Sequence, residues 1–324
     1  MKIRAFSTAI VLCFALLCSS PVWADSVLTT IAAGNEPAGI AANPRTDKIY
    51  VALDADLKVA VINGKTNQVS STIPLAGHPL RIAVNVFTNR IYSTSCDFNT
   101  GLCSVYVIDG RRDTVIANIL LNTPPGIGLQ GVGVNPVTNR IYVSDGDNGL
   151  VYVIDGNSNA VIGQFSTPAP AGIAVNPKTN RIYVADNGFS GGLFVFDGAT
   201  NTQIAHITLH SSAEAVATNF RLNRAYATID SNELAVVDGA TNQVVTNVPT
   251  GTFPKGVDVN LLDNKIYVVN GNSSDVTIID GNTNQVIQTL PVPASFLESV
   301  SVNPVTGRTY VTDFFSGTVI VLQR

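Results

Sequence analysis

The 324-residue sequence predicts an all-β fold, a seven-bladed β-propeller of four-stranded antiparallel blades, on three observations. The first is a repeat. The phrase "NPVTNRIYVSDG" from Asn135 returns as "NPRTDKIYVALD" from Asn43, "NPKTNRIYVADN" from Asn176 and "NPVTGRTYVTDF" from Asn303, and aligning all copies gives Tyr50, Tyr92, Tyr142, Tyr183, Tyr226, Tyr267 and Tyr310. Their spacings of 42, 50, 41, 43, 41 and 43 residues are those of stacked supersecondary units. The second observation is that each copy divides into four short apolar segments, such as "GIAVN", "RIYVAD", "GLFVFDG" and "TQIAHITL". Runs of this length, rich in Val, Ile and Tyr and bounded by Asn, Asp, Gly and Pro, are strands of a meander. Four strands in each of seven units define a propeller. The third lies at the ends. The last copy stops after "GTVIVLQR" without its fourth segment, whereas "SVLTTIAAG" from Ser26 matches fourth segments such as "QVSSTIPLAG" from Gln68. Val27 to Ile31 is therefore expected to pair with Thr318 to Leu322, so that the N-terminal strand completes the last blade and closes the ring, hiding edges that invite aggregation.

The chain opens with Lys2 and Arg4, an apolar run from Ala9 to Cys18 and "SSPVWAD", the three regions of a secretory signal peptide. Residues 1–24 are expected to be this leader, with cleavage after Ala24, and residues 25–324 to be one propeller domain. The apolar run is shorter than the ~20 residues a membrane span needs, and Leu17 before Cys18 does not suit a lipid anchor. A secreted or periplasmic protein with no membrane insertion is expected, as a monomer. Residues 25–324 hold 17 Lys and Arg against 23 Asp and Glu, a formal charge of −6, which argues against nucleic acid as a partner. The sole tryptophan, Trp23, leaves with the leader, so the mature chain lacks the Trp-Asp pairs of WD-type blades. It also has no C-x-x-C-H for haem attachment. No cofactor is expected.

Within each copy, "NPKTN" and "DGATN" read as turns, with Pro presetting φ and Asn or Gly accepting left-handed backbone. The aspartates Asp109, Asp155, Asp197, Asp238 and Asp280 of the second turn are expected to cap their own backbone. Two copies depart from the pattern: "NVFTNRIYSTSC" in the second, with Val86 for Pro and Ser93 for Val, and "NFRLNRAYATID" in the fifth. The second copy also carries "CDFNTGLC". Cys13 and Cys18 leave with the leader, and an exported chain with one remaining close pair reads as a Cys96–Cys103 disulfide. Two free thiols are the other reading. No metal set is expected there, because no His or further Cys stands nearby.

The residues "NRIYV" and "DGATNQV" resemble the YVTN-repeat family of seven-bladed propellers, found in secreted and cell-surface bacterial and archaeal proteins. The resemblance covers nearly all of residues 27–324 and implies the fold; it implies no particular activity.

Function is expected where aligned copies differ, on the face that carries the loops into each first strand and the loops after each second strand. Five residues before the anchoring Asn the copies read Ala38, Leu80, Gln130, Ala171, Glu214, Lys255 and Glu298. Glu36, His78 and Arg81 stand nearby, and Asp54, Asp145, Asp186, Asp230 and Asp313 stand near the ends of second strands. Together these suggest a polar channel mouth, the ordinary ligand site of a ring. Glu36, His78, Arg81, Gln130, Glu214, Lys255 and Glu298 are the candidate ligand contacts, although Glu214, Lys255 and Glu298 also read as a solvated ion-pair cluster. The aspartates suit a hard cation or simple loop formation, and His78 suits a general base. His206 and His210 are expected on an outer strand, at the surface. No catalytic set of nucleophile and base is identifiable, so the expected function is a binding or scaffold module that presents the mouth to an unknown ligand or protein. The alternative is a lyase or lactonase acting at the central channel, with a divalent cation, by analogy with other propellers.

Overall fold

The computed structural model describes residues 24–121, 128–188 and 191–324; apart from Ala24, the expected leader lies outside them. The chain forms seven four-stranded antiparallel sheets, each a meander from an inner to an outer strand. The inner strands are Pro37–Asn43, His78–Asn85, Leu129–Asn135, Pro170–Asn176, Ala213–Asn219, Pro254–Asn260 and Leu297–Asn303. Each packs against the next, and the seventh packs against the first, so the ring is closed. The seventh blade runs Leu297–Asn303, Arg308–Asp313, Thr318–Gln323 and then Ser26–Ala32, with Val27 opposite Leu322 and Ile31 opposite Val319. The expected closure is what forms.

The core lies between blades. Tyr142, Val151 and Val153 of the third blade, for example, pack against Ile173, Ile182 and Val184 of the fourth. A middle strand of a blade has a neighbouring blade on both faces, so strands such as Ile141 to Val143 are apolar throughout instead of alternating with polar residues. All seven motif tyrosines are buried. The two weakened copies form complete blades: Ser93 is buried in the second, and Ala225 and Ala227 fill the fifth.

The repeated motif joins each blade to the next. The anchoring asparagine accepts a bond from the backbone N–H two residues on, at 3.0 Å for Asn43, Asn85, Asn135 and Asn176, an Asx turn. Its Nδ2 then donates to the turn of the following blade: Asn43 to Asn89, Asn85 to Asn139, Asn135 to Asn180, Asn176 to Asn223, Asn219 to Asn264 and Asn303 to Asp47, at 2.6–2.9 Å. The remaining link would run from Asn260 to position 307, where Gly307 has no side chain to accept it. The basic residue two before each tyrosine adds a second tie. Arg90, Arg140, Arg181 and Arg224 donate to the Gly carbonyls of the next blade's DG turn, Arg308 donates to Gly64 in the first blade's Asn63-Gly64 turn, and Lys48 donates to Gly110. That glycine is required: a Cβ on Gly156 would lie 2.5 Å from Asn139 Oδ1. The DG aspartates cap their turns as expected, with Asp109, Asp155, Asp197, Asp238 and Asp280 accepting from backbone N–H groups at 2.7–2.9 Å.

Lys265 faces the seventh blade, which has no DG turn because its last strand comes from the other end of the chain. Asp25 takes the turn's place: its carboxylate receives Lys265 Nζ at 2.5 Å and the Tyr267 hydroxyl at 3.2 Å. Gln288 binds the Asp25 backbone at both N–H and C=O. Cys96 and Cys103 stand opposite each other across an extended hairpin and form a disulfide, so the free-thiol reading is set aside.

Candidate functional site

The top face carries the loops into the inner strands and the loops after the second strands; the NPxTN and DGxTN turns form the opposite, turn face. A recurring bond fixes the top loops. The carbonyl seven residues before the anchoring Asn accepts from the N–H just after the second strand: Glu36 from Asp54, Ala169 from Asn187, Ser212 from Asp230, Phe253 from Gly271 and Phe296 from Phe314, at 2.8–3.0 Å. Loop residues are therefore held in one arrangement by backbone bonds, which leaves their side chains free to vary.

At the centre of this face, Glu214, Lys255, Glu298 and Arg81 form a single network. Lys255 Nζ lies 2.5 Å from Glu214 and 3.9 Å from Glu298, and Arg81 Nη1 lies 2.9 Å from Glu298. Arg81 Nε also donates to the Gln130 carbonyl at 2.9 Å. These residues line an axial cavity of about 130 Å³. Two acids and two bases cancel, so the group has no net charge. Burial works against the Arg81 guanidinium, but Glu298 and Glu214 outweigh it and hold its pKa above the usual arginine value. Four of the seven expected contacts are thus joined directly, and Gln130 meets them through its backbone.

Alignment puts Leu80 in the ring of variable positions, but Arg81 is the residue that joins this network. The pairing of the inner strand slips between Pro79 and Ile82, as it does at the aligned positions of the first, fourth, fifth and seventh blades, so Arg81 joins the group by the reach of its longer side chain from the next position along the strand. Glu36 stands apart from the charged group. It sits half-buried at φ 52° in the loop into the first blade, with its carbonyl bonded to Asp54. His78 Nδ1 lies 2.8 Å from Asp54 Oδ1, and its ring stacks on Phe98 at 4.0 Å. The other aspartates build loops. Asp145 holds Asn148, Asp186 the Gly188 N–H, Asp230 the Ser212 hydroxyl, and Asp313 the Ser295 and Phe296 N–H groups. Burial raises the Asp313 carboxyl, but bonds from Ser316, Phe296 and Ser295 prevail and bring it below the usual range. Among the described residues, no three of His, Cys, Asp and Glu gather to hold a metal ion. His206, stacked on Phe194, is exposed on an outer strand as expected; His210, also exposed, lies just beyond that strand and pairs with Glu233.

Sequence reasoning missed an aromatic crescent beside the charged group. Phe253 and Phe296 are 6.1 Å apart, Phe296 and Phe315 5.5 Å, and Phe315 and Phe314 5.3 Å. Phe98 faces them across a cavity of about 340 Å³, whose wall also includes Arg81, Asp54 and Glu298. Phe315 is 71% exposed, Phe98 46% and Phe253 37%. Phe253 has φ 59°, an outlier for a bulky residue. It is pinned by Gly271 N–H on its carbonyl and Asn232 on its N–H. The available signal was positional: Phe253 and Phe296 align with Glu36 and His78, seven residues before the anchoring Asn, in loops where burial does not call for aromatics.

The chain is a seven-bladed β-propeller. It is similar to a solved structure of Kuenenia stuttgartiensis hydrazine synthase, with a TM-score of 0.78 and 16% identity over 90% of this chain and 96% of that one, a likeness of fold. No family model and no curated protein matches the chain. The resemblance to YVTN-repeat proteins rests on the repeated residues themselves.

Proposed function

We propose that this propeller is a secreted or periplasmic binding module that presents its top face to a ligand or protein partner. The observation that carries the reading is the aromatic crescent at the rim of a cavity. Clustered exposed apolar side chains beside a concave site mark interaction surfaces, and buried aromatic anchors supply most of the energy of such contacts. The neutralised Glu214, Lys255, Glu298 and Arg81 group offers fixed donors and acceptors next to the rings, which suits recognition of a partner with both apolar and polar groups. The leader-like first 24 residues and the disulfide agree with an oxidising destination.

The test compares the native chain with Phe296→Ala and Phe315→Ala on arrays of glycans and peptides, with Val305→Ala on the turn face as control. Binding weakened about tenfold or more by the two Phe variants and untouched by the control is expected. Binding indifferent to both Phe substitutions overturns the reading. N-terminal sequencing of the exported protein is expected to begin at Asp25.

One observation favours the alternative of a lyase or lactonase. Asp54 orients the His78 imidazole beside the same cavity, the arrangement of a general base. Turnover of a lactone that His78→Ala abolishes would establish it.

A further inference from the structure

The turn face carries a further cavity, of about 570 Å³, at the opposite end of the ring axis. Its mouth is formed by the residue after each anchoring asparagine: Pro44, Val86, Pro136, Pro177, Phe220, Leu261 and Pro304. All seven are apolar. Four are prolines and bring no N–H to the wall. The volume falls in the range of small-molecule sites, roughly 300–1,000 Å³.

One residue breaks the apolar lining. Two positions before the anchoring asparagine the other blades carry Ala41, Ala83, Gly133, Ala174, Ala217 and Ser301, whereas the sixth carries Asp258, which lines this cavity. Its Oδ1 accepts from the Val259 N–H and its Oδ2 from the Val302 N–H of the next blade, both at 2.8 Å. These bonds fix the carboxylate in place without supplying a counter-charge. Lys178, the cation among the described lining residues, is exposed at the rim and makes no ion pair with Asp258. Burial pushes the Asp258 carboxyl up to about 6 against the pull of the two N–H groups, as expected for an anion set in an apolar wall without a cation.

We propose that this cavity binds a small organic ammonium ion, its charged nitrogen on Asp258 and its apolar body within the ring of Pro, Val, Phe and Leu side chains. The ammonium restores the missing counter-charge, and a charge-assisted bond at low local dielectric is stronger than one in water. The apolar body covers surface that would otherwise face solvent. The site lies on the face opposite the aromatic crescent, so it stands or falls independently of the reading above.

The probe is 2-phenylethylammonium against its neutral near-isostere 2-phenylethanol, titrated at about pH 8, where the carboxyl is ionised, and followed by calorimetry and by the backbone amide resonance of Val302. The ammonium is expected to bind about tenfold or more tighter than the alcohol and to shift the Val302 resonance. Asp258→Ala, which restores the residue that four other blades carry, is expected to abolish that preference, and Phe296→Ala to leave it intact. Equal binding of the two probes, no binding of the ammonium at millimolar concentration, a preference that survives Asp258→Ala, or one lost instead in Phe296→Ala overturns the proposal.

Discussion

Lys265 and Asp25 carry side chains only 8% and 2% exposed, so each depends on the other for its charge to be tolerated. Deleting one partner of a buried pair leaves an uncompensated ion at a cost of about 3–5 kcal/mol, whereas replacing both by apolar groups is often near neutral. Asp25→Ala is expected to lower stability by that amount in urea unfolding, and Asp25→Leu with Lys265→Met to recover most of it. Asp258 gives the opposite kind of signature. Its folded pKa of about 6 lies above the ordinary 3.8, so between those values the folded chain holds a proton that the unfolded chain has lost. The resulting stability is present below about pH 4 and is lost as pH rises through 6. The native chain should therefore lose about 3 kcal/mol relative to Asp258→Ala across that interval, and parallel pH profiles of the two chains would contradict it. At this scale the sequence was legible where charge varied between aligned copies: Glu214, Lys255 and Glu298 were picked out and do meet. Arg81 stands one position beyond the aligned ring, and its ion pair with Glu298 across the channel is a product of the closed ring that alignment does not register. The phenylalanines were overlooked because an apolar residue in a strand-rich chain reads as core until its loop is seen to face solvent.

The turns illustrate how an element does more than reverse the chain. Each NPxTN turn was readable as a turn from Pro and Asn alone, but its side-chain link to the next blade needed the ring, since the partners lie some 45 residues apart. The same comparison now identifies the weak seam. Gly307 has φ +67° and open space where a Cβ would go, and asparagine occupies its equivalent in five other blades. Gly307→Asn should let Asn260 make the missing bond and raise stability by about 1 kcal/mol. Gly307→Ala, which meets the left-handed strain without gaining the bond, should lower it. Melting temperatures of the two variants moving in the same direction would refute this account of the seam.

For the whole molecule, the fold was legible because the repeat count and the missing fourth strand are properties of sequence order alone. The site was less so, since cavities arise from the meeting of seven loops. A chain beginning at Ala33 lacks the strand that covers Thr318–Gln323 and exposes an unpaired edge beside Val319 and Val321. It is expected to associate further than the native chain in light scattering, and a synthetic peptide spanning residues 25–32 to reverse that association.

This closure also sets a timetable. The first strand to leave the ribosome is partnered by the last, and at ~5–20 residues per second it waits on the order of tens of seconds for its mate to be translated. Throughout that interval the backbone edge of Ser26–Ala32 lacks its partner strand, an open edge of the kind that invites wrong pairing until the chain is complete.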